Sequence, residues 1–254
     1  MSQREQREQA PLPGAPDVSH LVTEDGAPVD SFLAEKQMRL LTAPLDCWTA
    51  PRGRRFIAAA NVGLFAVAKN PAIVPDVFVS FDVDPPAASG PEKLSSYFFW
   101  ELGKPPDIVI EIVSETLGGE LSTKLRDYER MRITNYVVFD PLRRLGSEEV
   151  VAFSLHSGAY VQRNDTRFVA EGLALVRWDG TFEGMHTNWL RWTDLDGNLL
   201  PTPRESEERA RREAERADRE AQRAAAAEAR AESSATRAEA LAARLRALGV
   251  DPDA

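Results

Sequence analysis

At 254 residues the chain has room for one large domain or two small ones, and its 43% hydrophobic content is enough to bury a core. A formal net charge of −9 argues against a broad basic surface and leaves only a local basic groove for nucleic acid. One cysteine, Cys47, excludes an internal disulfide, and His20, His156 and His186 are too scattered for a Cys/His zinc site, so any metal must be held by oxygen.

Residues 1–29 are polar, rich in Pro, Gly and Asp, and without periodicity, which predicts a disordered segment. They lack the basic-then-apolar plan of a signal peptide, and no run of about eighteen apolar residues exists anywhere, so a soluble cytoplasmic protein with no membrane partner is expected. In DSFLAEKQMRLLTAPL, the residues Phe32, Leu33, Met38, Leu40 and Leu41 form a helical stripe, Asp30 or Ser31 can cap it, and Pro44 is expected to end it.

RRFIAAANVGLFAVA and AIVPDVFVSFDV, separated by Lys69, Asn70 and Pro71, read as neighbouring strands. SSYFFWELGKPPD then leads into a strand, DIVIEIVS, a helix, GGELSTKLRDYERMR, and a strand, NYVVFDP. Strand, helix, strand implies a right-handed crossover and a mixed sheet containing a parallel pair. EEVVAFSLHSGAYVQR predicts a hairpin turning at Ser157-Gly158, and RWTDLDGNLL another at Asp196-Gly197.

From Arg204 the composition changes to Ala, Glu and Arg, with eleven Arg against ten acids up to Arg246. Alanines at 210, 214, 217, 221 and 224, resuming at 231, recur with alternating four-and-three spacing, which predicts a long helix over 204–248. Alanine buries little area, so a solvated single helix and a coiled coil that joins copies of the chain both fit this seam.

Chemistry concentrates in the middle of the chain. Side chains alternate along a strand, so Asp107 and Glu111 share a face but stand roughly 13 Å apart, too far to hold one ion. Asp107 follows Pro106 at the strand entrance, where a polar group costs little. Glu111, between Ile110 and Ile112, is expected to be buried, and a buried carboxylate needs a partner or a cation. Asp76 on the neighbouring strand would complete a pair of oxygen ligands of the kind Mg²⁺ takes. Lys124, on the following helix, reads as a surface charge or as a cation for a phosphate; Tyr128, one turn later, reads as a packing residue. Glu35 reads as surface charge. No Gly-rich phosphate loop, HExxH or recognisable Ser/His/Asp context is present.

Taken together, VPDVFVSFDV, YFFWELGKPPDIVIEIVS, GGELSTKLRDYERM and NYVVFDP closely resemble the Uma-two family of restriction endonucleases, a bacterial branch of the PD-(D/E)XK nuclease superfamily, over about Asp30 to Pro203. The resemblance implies an α+β domain at 30–203, a restriction-endonuclease-like mixed sheet flanked by helices. It also implies Mg²⁺-dependent (or Mn²⁺-dependent) hydrolysis of phosphodiester bonds in nucleic acid, with DNA as the expected partner. Asp76 matches the family's first acid and Glu111 the acid of the (D/E)XK element, with the Ile112 carbonyl as a further metal ligand. The lysine position of that element is Val113 here. The family places its lysine on the next helix, where Lys124 matches, with Tyr128 beside it, and Glu35 matches an auxiliary acid of the first helix. The alternative is a catalytically inactive protein of the same fold that docks partners through its C-terminal helix, Val113 being one sign of decay.

Overall fold

The computed structural model describes residues 31–68, 71–84, 96–114 and 118–248. The segment 1–29 and the alternative cap Asp30 lie outside them. The chain divides into two compact units, Met1–Thr202 and Pro203–Ala254.

The first unit opens with α1 (Phe32–Asp46), capped by the Ser31 hydroxyl, which accepts from the Ala34 N–H at 3.1 Å. Ala34, Gln37, Met38, Leu40, Leu41 and Leu45 are its buried side. Two expectations need correction. Phe32 is 83% exposed rather than part of the stripe. Pro44 lies inside the helix, which runs on to Asp46, because in the last turn a proline removes only one hydrogen bond.

A turn of 3₁₀ helix (Pro51–Gly53) leads to β1 (Phe56–Ala60) and β2 (Gly63–Phe65), then β3 (Val77–Phe81), β4 (Ser96–Phe98), α2 (Phe99–Leu102) and β5 (Ile108–Ile112). There follow α3 (Thr123–Arg130), β6 (Asn135–Phe139), β7 (Val150–His156), β8 (Ala159–Arg163), β9 (Arg167–Phe168), β10 (Leu173–Phe182) and β11 (Met185–Thr193). The central six-stranded sheet has the order β1-β3-β5-β6-β7-β8. Only β5 and β6 run parallel in it, joined by α3, as the strand–helix–strand reading requires. The architecture is α+β and restriction-endonuclease-like, with a central mixed sheet between two layers.

The two faces of β5 bury different cores. Ile108, Ile110 and Ile112 join Leu41, Phe81, Leu190 and Trp192 under α1 and the β9–β11 sheet. Val109 and Val113 join Tyr97, Tyr128, Tyr136 and Val138 under α3. Both faces are apolar, so the strand reads as a continuous hydrophobic run, and Glu111 interrupts it on the α3 side.

Where the fold departs from the sequence reading, turn chemistry is responsible. The first predicted strand breaks at Asn61, whose φ of 54° lies in the left-handed region that Asn tolerates. As a result β1 pairs with β3 while β2 pairs in parallel with β4 in a separate two-stranded sheet. The Ser157-Gly158 hairpin forms as expected, with φ of 50° and 91°. The Asp196-Gly197 turn also forms, yet it closes on the single bridge Thr193↔Leu199. The long β10–β11 hairpin, turning at Glu183-Gly184 between Phe182 and Met185, was not anticipated.

Gln37 fixes α1 to β11. Its buried amide donates to the Leu190 carbonyl at 2.8 Å and accepts the Leu190 N–H at 2.9 Å. Gln37→Leu leaves both backbone groups without a partner in a dry interface and is expected to destabilise the unit by about 2–4 kcal/mol, read from the denaturant midpoint at unchanged m-value.

The second unit contains α4 (Pro203–Ala247), one helix of 45 residues with no buried residue. Arg204–Glu208 and Arg211–Glu215 are i,i+4 pairs along it, each worth a few tenths of a kcal/mol. Among the described residues no helix is long and apolar enough to cross a membrane.

Candidate active site

Glu111 is 1% exposed on β5, directed toward the α3 layer. Two groups from α3 reach it: Lys124 Nζ lies 2.8 Å from Oε2, and the Tyr128 hydroxyl donates to Oε1 at 2.5 Å. Lys124 and Tyr128 stand one helical turn apart, so one helix face delivers both. The expected long helix from Gly118 is corrected here: 118–122 form a turn and α3 begins at Thr123.

Asp76 immediately precedes β3, whose antiparallel register with β5 sets Val77 opposite Ile110. Its Oδ2 accepts the Ile112 N–H at 2.6 Å. The N–H and C=O of one strand residue point to the same side, so the Ile112 carbonyl faces the Asp76 side as well. Burial raises the Asp76 pKa against the opposing pull of the Ile112 N–H, Lys124 and a hydrogen bond with Glu111. Burial likewise pushes Glu111 up to about 8, with Asp76 adding to it and Lys124 and Tyr128 opposing. Asp76 raises the Glu111 pKa while a hydrogen bond with Glu111 lowers that of Asp76, so the two carboxyls are close enough to share a proton or a cation. Desolvation works against the Lys124 ammonium, but Glu111, Asp76 and Glu120 together outweigh it and the pKa rises, so this lysine stays charged. The Tyr128 phenol is held well above its ordinary value by burial and then by Glu111.

Glu120 completes the group and was missed in the sequence. It is 3% exposed, takes the Gly118 N–H on both carboxylate oxygens at 2.9 and 3.2 Å, and contributes to the field at Asp76 and Lys124. Its backbone carbonyl is held by the Tyr136 hydroxyl at 2.9 Å. A Cβ at Gly118 would come within 2.8 Å of Glu120 Oε1 and 3.4 Å of Lys124 Nζ, so a side chain there would push the Glu120 carboxylate aside. The available signal was the Gly118-Gly119 pair just ahead of it, a turn mark rather than a helix one.

The remaining candidates lie elsewhere. Glu35 makes a surface ion pair with Arg39, 2.6 Å away, in a cluster with Lys36 and Glu183, and the structure does not bring it to Glu111. Asp107 accepts the Phe81 N–H at 2.7 Å and the Lys104 ammonium at 2.5 Å, an anchoring role at the strand entrance. His186 is engaged with Asp179 and Thr181 in the β10–β11 hairpin.

A restriction-endonuclease-like sheet, with acids at the ends of two adjacent strands and a lysine from the crossover helix, defines a nuclease-type architecture. The sequence model of the family Uma2, described as "Putative restriction endonuclease", matches residues 25–174, and the chain belongs to this family. The match ends inside β10, so most of the β10–β11 hairpin and all of α4 lie beyond it. No curated protein matches the chain.

Proposed function

We propose that this protein is a Mg²⁺-dependent endonuclease that hydrolyses phosphodiester bonds, with DNA as substrate and the cytoplasm as its place of action. One observation carries the reading: a buried glutamate meets an aspartate from the neighbouring strand and a lysine from the crossover helix. A carboxyl removed from water beside a second carboxyl is costly unless protonated or bound to a cation.

The donor set fits such a cation. Among the described residues no group of three or more His, Cys, Asp or Glu side chains could hold a metal. Mg²⁺, however, takes one or two carboxylates and keeps several waters, and here Asp76 and Glu111 supply hard oxygens with the Ile112 carbonyl on the same side. Mn²⁺ accepts the same ligands. When bound, the metal would polarise the phosphate and lower the pKa of a bound water. Asp76, fixed by the Ile112 N–H, and Glu111, fixed by Lys124 and Tyr128, would hold it. Lys124, with its side chain 29% exposed, presents a permanent positive charge to an entering phosphate and stabilises charge developing on it. Glu120 supports the turn that leads into α3 and so into Lys124.

The observation that Lys124 contacts Glu111 favours this reading over an inactive docking protein, because Val113 leaves the ammonium absent from β5 and α3 replaces it. Purified full-length chain with Mg²⁺ or Mn²⁺ is expected to convert supercoiled plasmid to nicked circles, and EDTA to stop it. Intact plasmid, single-stranded DNA, branched DNA and RNA under the same conditions would leave the docking reading in its place.

A further inference from the structure

A cavity of about 380 Å³ opens on the side of the central sheet away from α3. Its apolar floor is Val150, Leu175 and Leu190, which belong to the core under α1 and the β9–β11 sheet. Two arginines stand in its wall: Arg143 comes from the loop between β6 and β7, and Arg177 from β10. Two separate parts of the chain thus bring their guanidiniums together.

Glu149 joins them. Its side chain is 4% exposed, and it gives one carboxylate oxygen to each arginine: Arg143 places Nε 3.0 Å and Nη2 2.8 Å from Oε1, and Arg177 Nη1 donates to Oε2. The arginine side chains remain 56% and 54% exposed. Two cations on one anion leave a positive charge over, and each guanidinium carries five N–H donors, more than one shared carboxylate can take. Glu148 also borders the cavity, but its carboxylate takes the Gln162 amide at 3.4 Å, and Gln162 pairs with Phe153 on the α3 side of the sheet. The Thr166 hydroxyl is turned to the Leu175 carbonyl at 2.6 Å. The free donors at this mouth therefore belong to the arginine pair, a local basic site in a chain whose net charge is −9.

The pair is placed with respect to the active site by strand register. Glu149 precedes Val150, the partner of Phe139 on β6, and Phe139 is the partner of Ile112 on β5. Both sites therefore lie at the same end of the sheet, two strand spacings apart, about 10 Å along the backbone. On a strand of duplex rising about 3.4 Å per nucleotide, this is the span of about three nucleotides.

We propose that Arg143 and Arg177 form a clamp for a backbone phosphate of the nucleic-acid substrate, a few nucleotides from the phosphate at Lys124, with Glu149 holding the two guanidiniums side by side. The proposal rests on the nuclease reading for the path of the strand. A planar guanidinium meets phosphate oxygens through two parallel N–H donors, which an ammonium does not. Such a contact sets the position of the strand and reads no sequence. Arg177 lies beyond residues 25–174, so the clamp ties the part matched by the family model to the β10–β11 hairpin.

The test uses the full chain without divalent metal and short DNA duplexes of different sequence, with affinity measured from about 50 to 200 mM salt. Arg143→Gln and Arg177→Gln are each expected to weaken binding about tenfold or more at the lowest salt, alike for all sequences. Each should also reduce the slope of log affinity against log salt by about one. Arg177→Lys keeps the charge without the fork, so it should restore the slope and only part of the affinity. Each single variant leaves Glu149 one guanidinium, which protects the fold. Should a variant fail to fold, the wild type still decides: phenylglyoxal, which modifies exposed guanidiniums, is expected to label Arg143 and Arg177 in the free protein and to spare both when duplex is present, as read by mass spectrometry. No binding of any duplex, unchanged affinity and slope in both glutamine variants, or labelling of both arginines under duplex overturns the clamp and leaves them as neutralising partners of Glu149. Protection by millimolar inorganic phosphate and not by duplex also overturns it. The plasmid assay on the same preparations separates the two readings: cleavage with an unaltered salt slope removes the clamp alone, whereas arginine-dependent binding without cleavage removes the nuclease reading and leaves a nucleic-acid-binding protein.

Discussion

Glu111→Gln is expected to lower metal-dependent cleavage on the order of 10³-fold while the chain remains folded. Removing a preorganised charge at a reacting centre costs about 10²–10³-fold, and here the same carboxylate is also one of the two proposed to hold the cation. Glutamine is close to a protonated glutamate in shape: its one oxygen can accept from Lys124, and the Tyr128 hydroxyl can turn to accept from the amide N–H. The fold should therefore tolerate it better than Glu111→Ala, which opens a cavity beside two buried tyrosines. Full cleavage by Glu111→Gln would remove the assignment.

The same substitution makes a prediction about pH. The Glu111 pKa, about 8 in the folded protein, lies above its value of about 4.3 in an unfolded chain. The native state therefore binds this proton more tightly than the unfolded state does. The resulting stabilisation is fully present below about pH 4 and is lost as pH rises through about 8. Metal-free wild-type protein should lose thermal stability between pH 5 and pH 9 more steeply than Glu111→Gln, which has no such proton to lose. Adding Mg²⁺ at pH 9 should raise the wild-type Tm and leave Glu111→Gln unchanged, because a ligand that binds only the native state stabilises it.

How much of this was legible in the sequence follows from the range over which each signal acts. Strand periodicity and the order of strand, helix and strand located β3, β5, α3 and β6, since apolar runs and turn residues are local properties. The burial of Glu111 could also be inferred, from Ile110 and Ile112 on either side of it. Partners were harder. Whether Lys124 meets Glu111 depends on the rotation of α3 over the sheet, a tertiary property, and the family resemblance points to it where the helix alone favours a surface lysine. Glu120 is hidden because the stretch from Gly118 reads as helix, whereas its carboxylate is held by the Gly118 amide ahead of α3. The β10–β11 hairpin was hidden for the opposite reason: Glu183-Gly184 is a weak turn signal beside the Asp-Gly pair at 196–197, and the stronger local signal drew the prediction.

Lys124→Met is the sharpest discriminator between a working site and a retained fold. In a structural reading the lysine compensates a buried carboxylate, and its loss leaves Glu111 to take up a proton, since the opposing influence on its raised pKa is gone. Stability would then fall while metal binding changed little in kind. In the catalytic reading the ammonium also faces the phosphate, and its loss should reduce kcat by about 10²–10³-fold with a smaller change in KM, the signature of an interaction made chiefly in the transition state. Tyr128→Phe provides the internal standard, because its hydroxyl addresses the same carboxylate from inside the core, where Tyr128 is fully buried and cannot meet substrate. It is expected to cost about 1–3 kcal/mol of stability through the unsatisfied Glu111 oxygen, and no more than about tenfold in rate. Equal rate losses for Lys124→Met and Tyr128→Phe would mean that both act only by holding Glu111 in place, and the ammonium would have to be struck from the catalytic group.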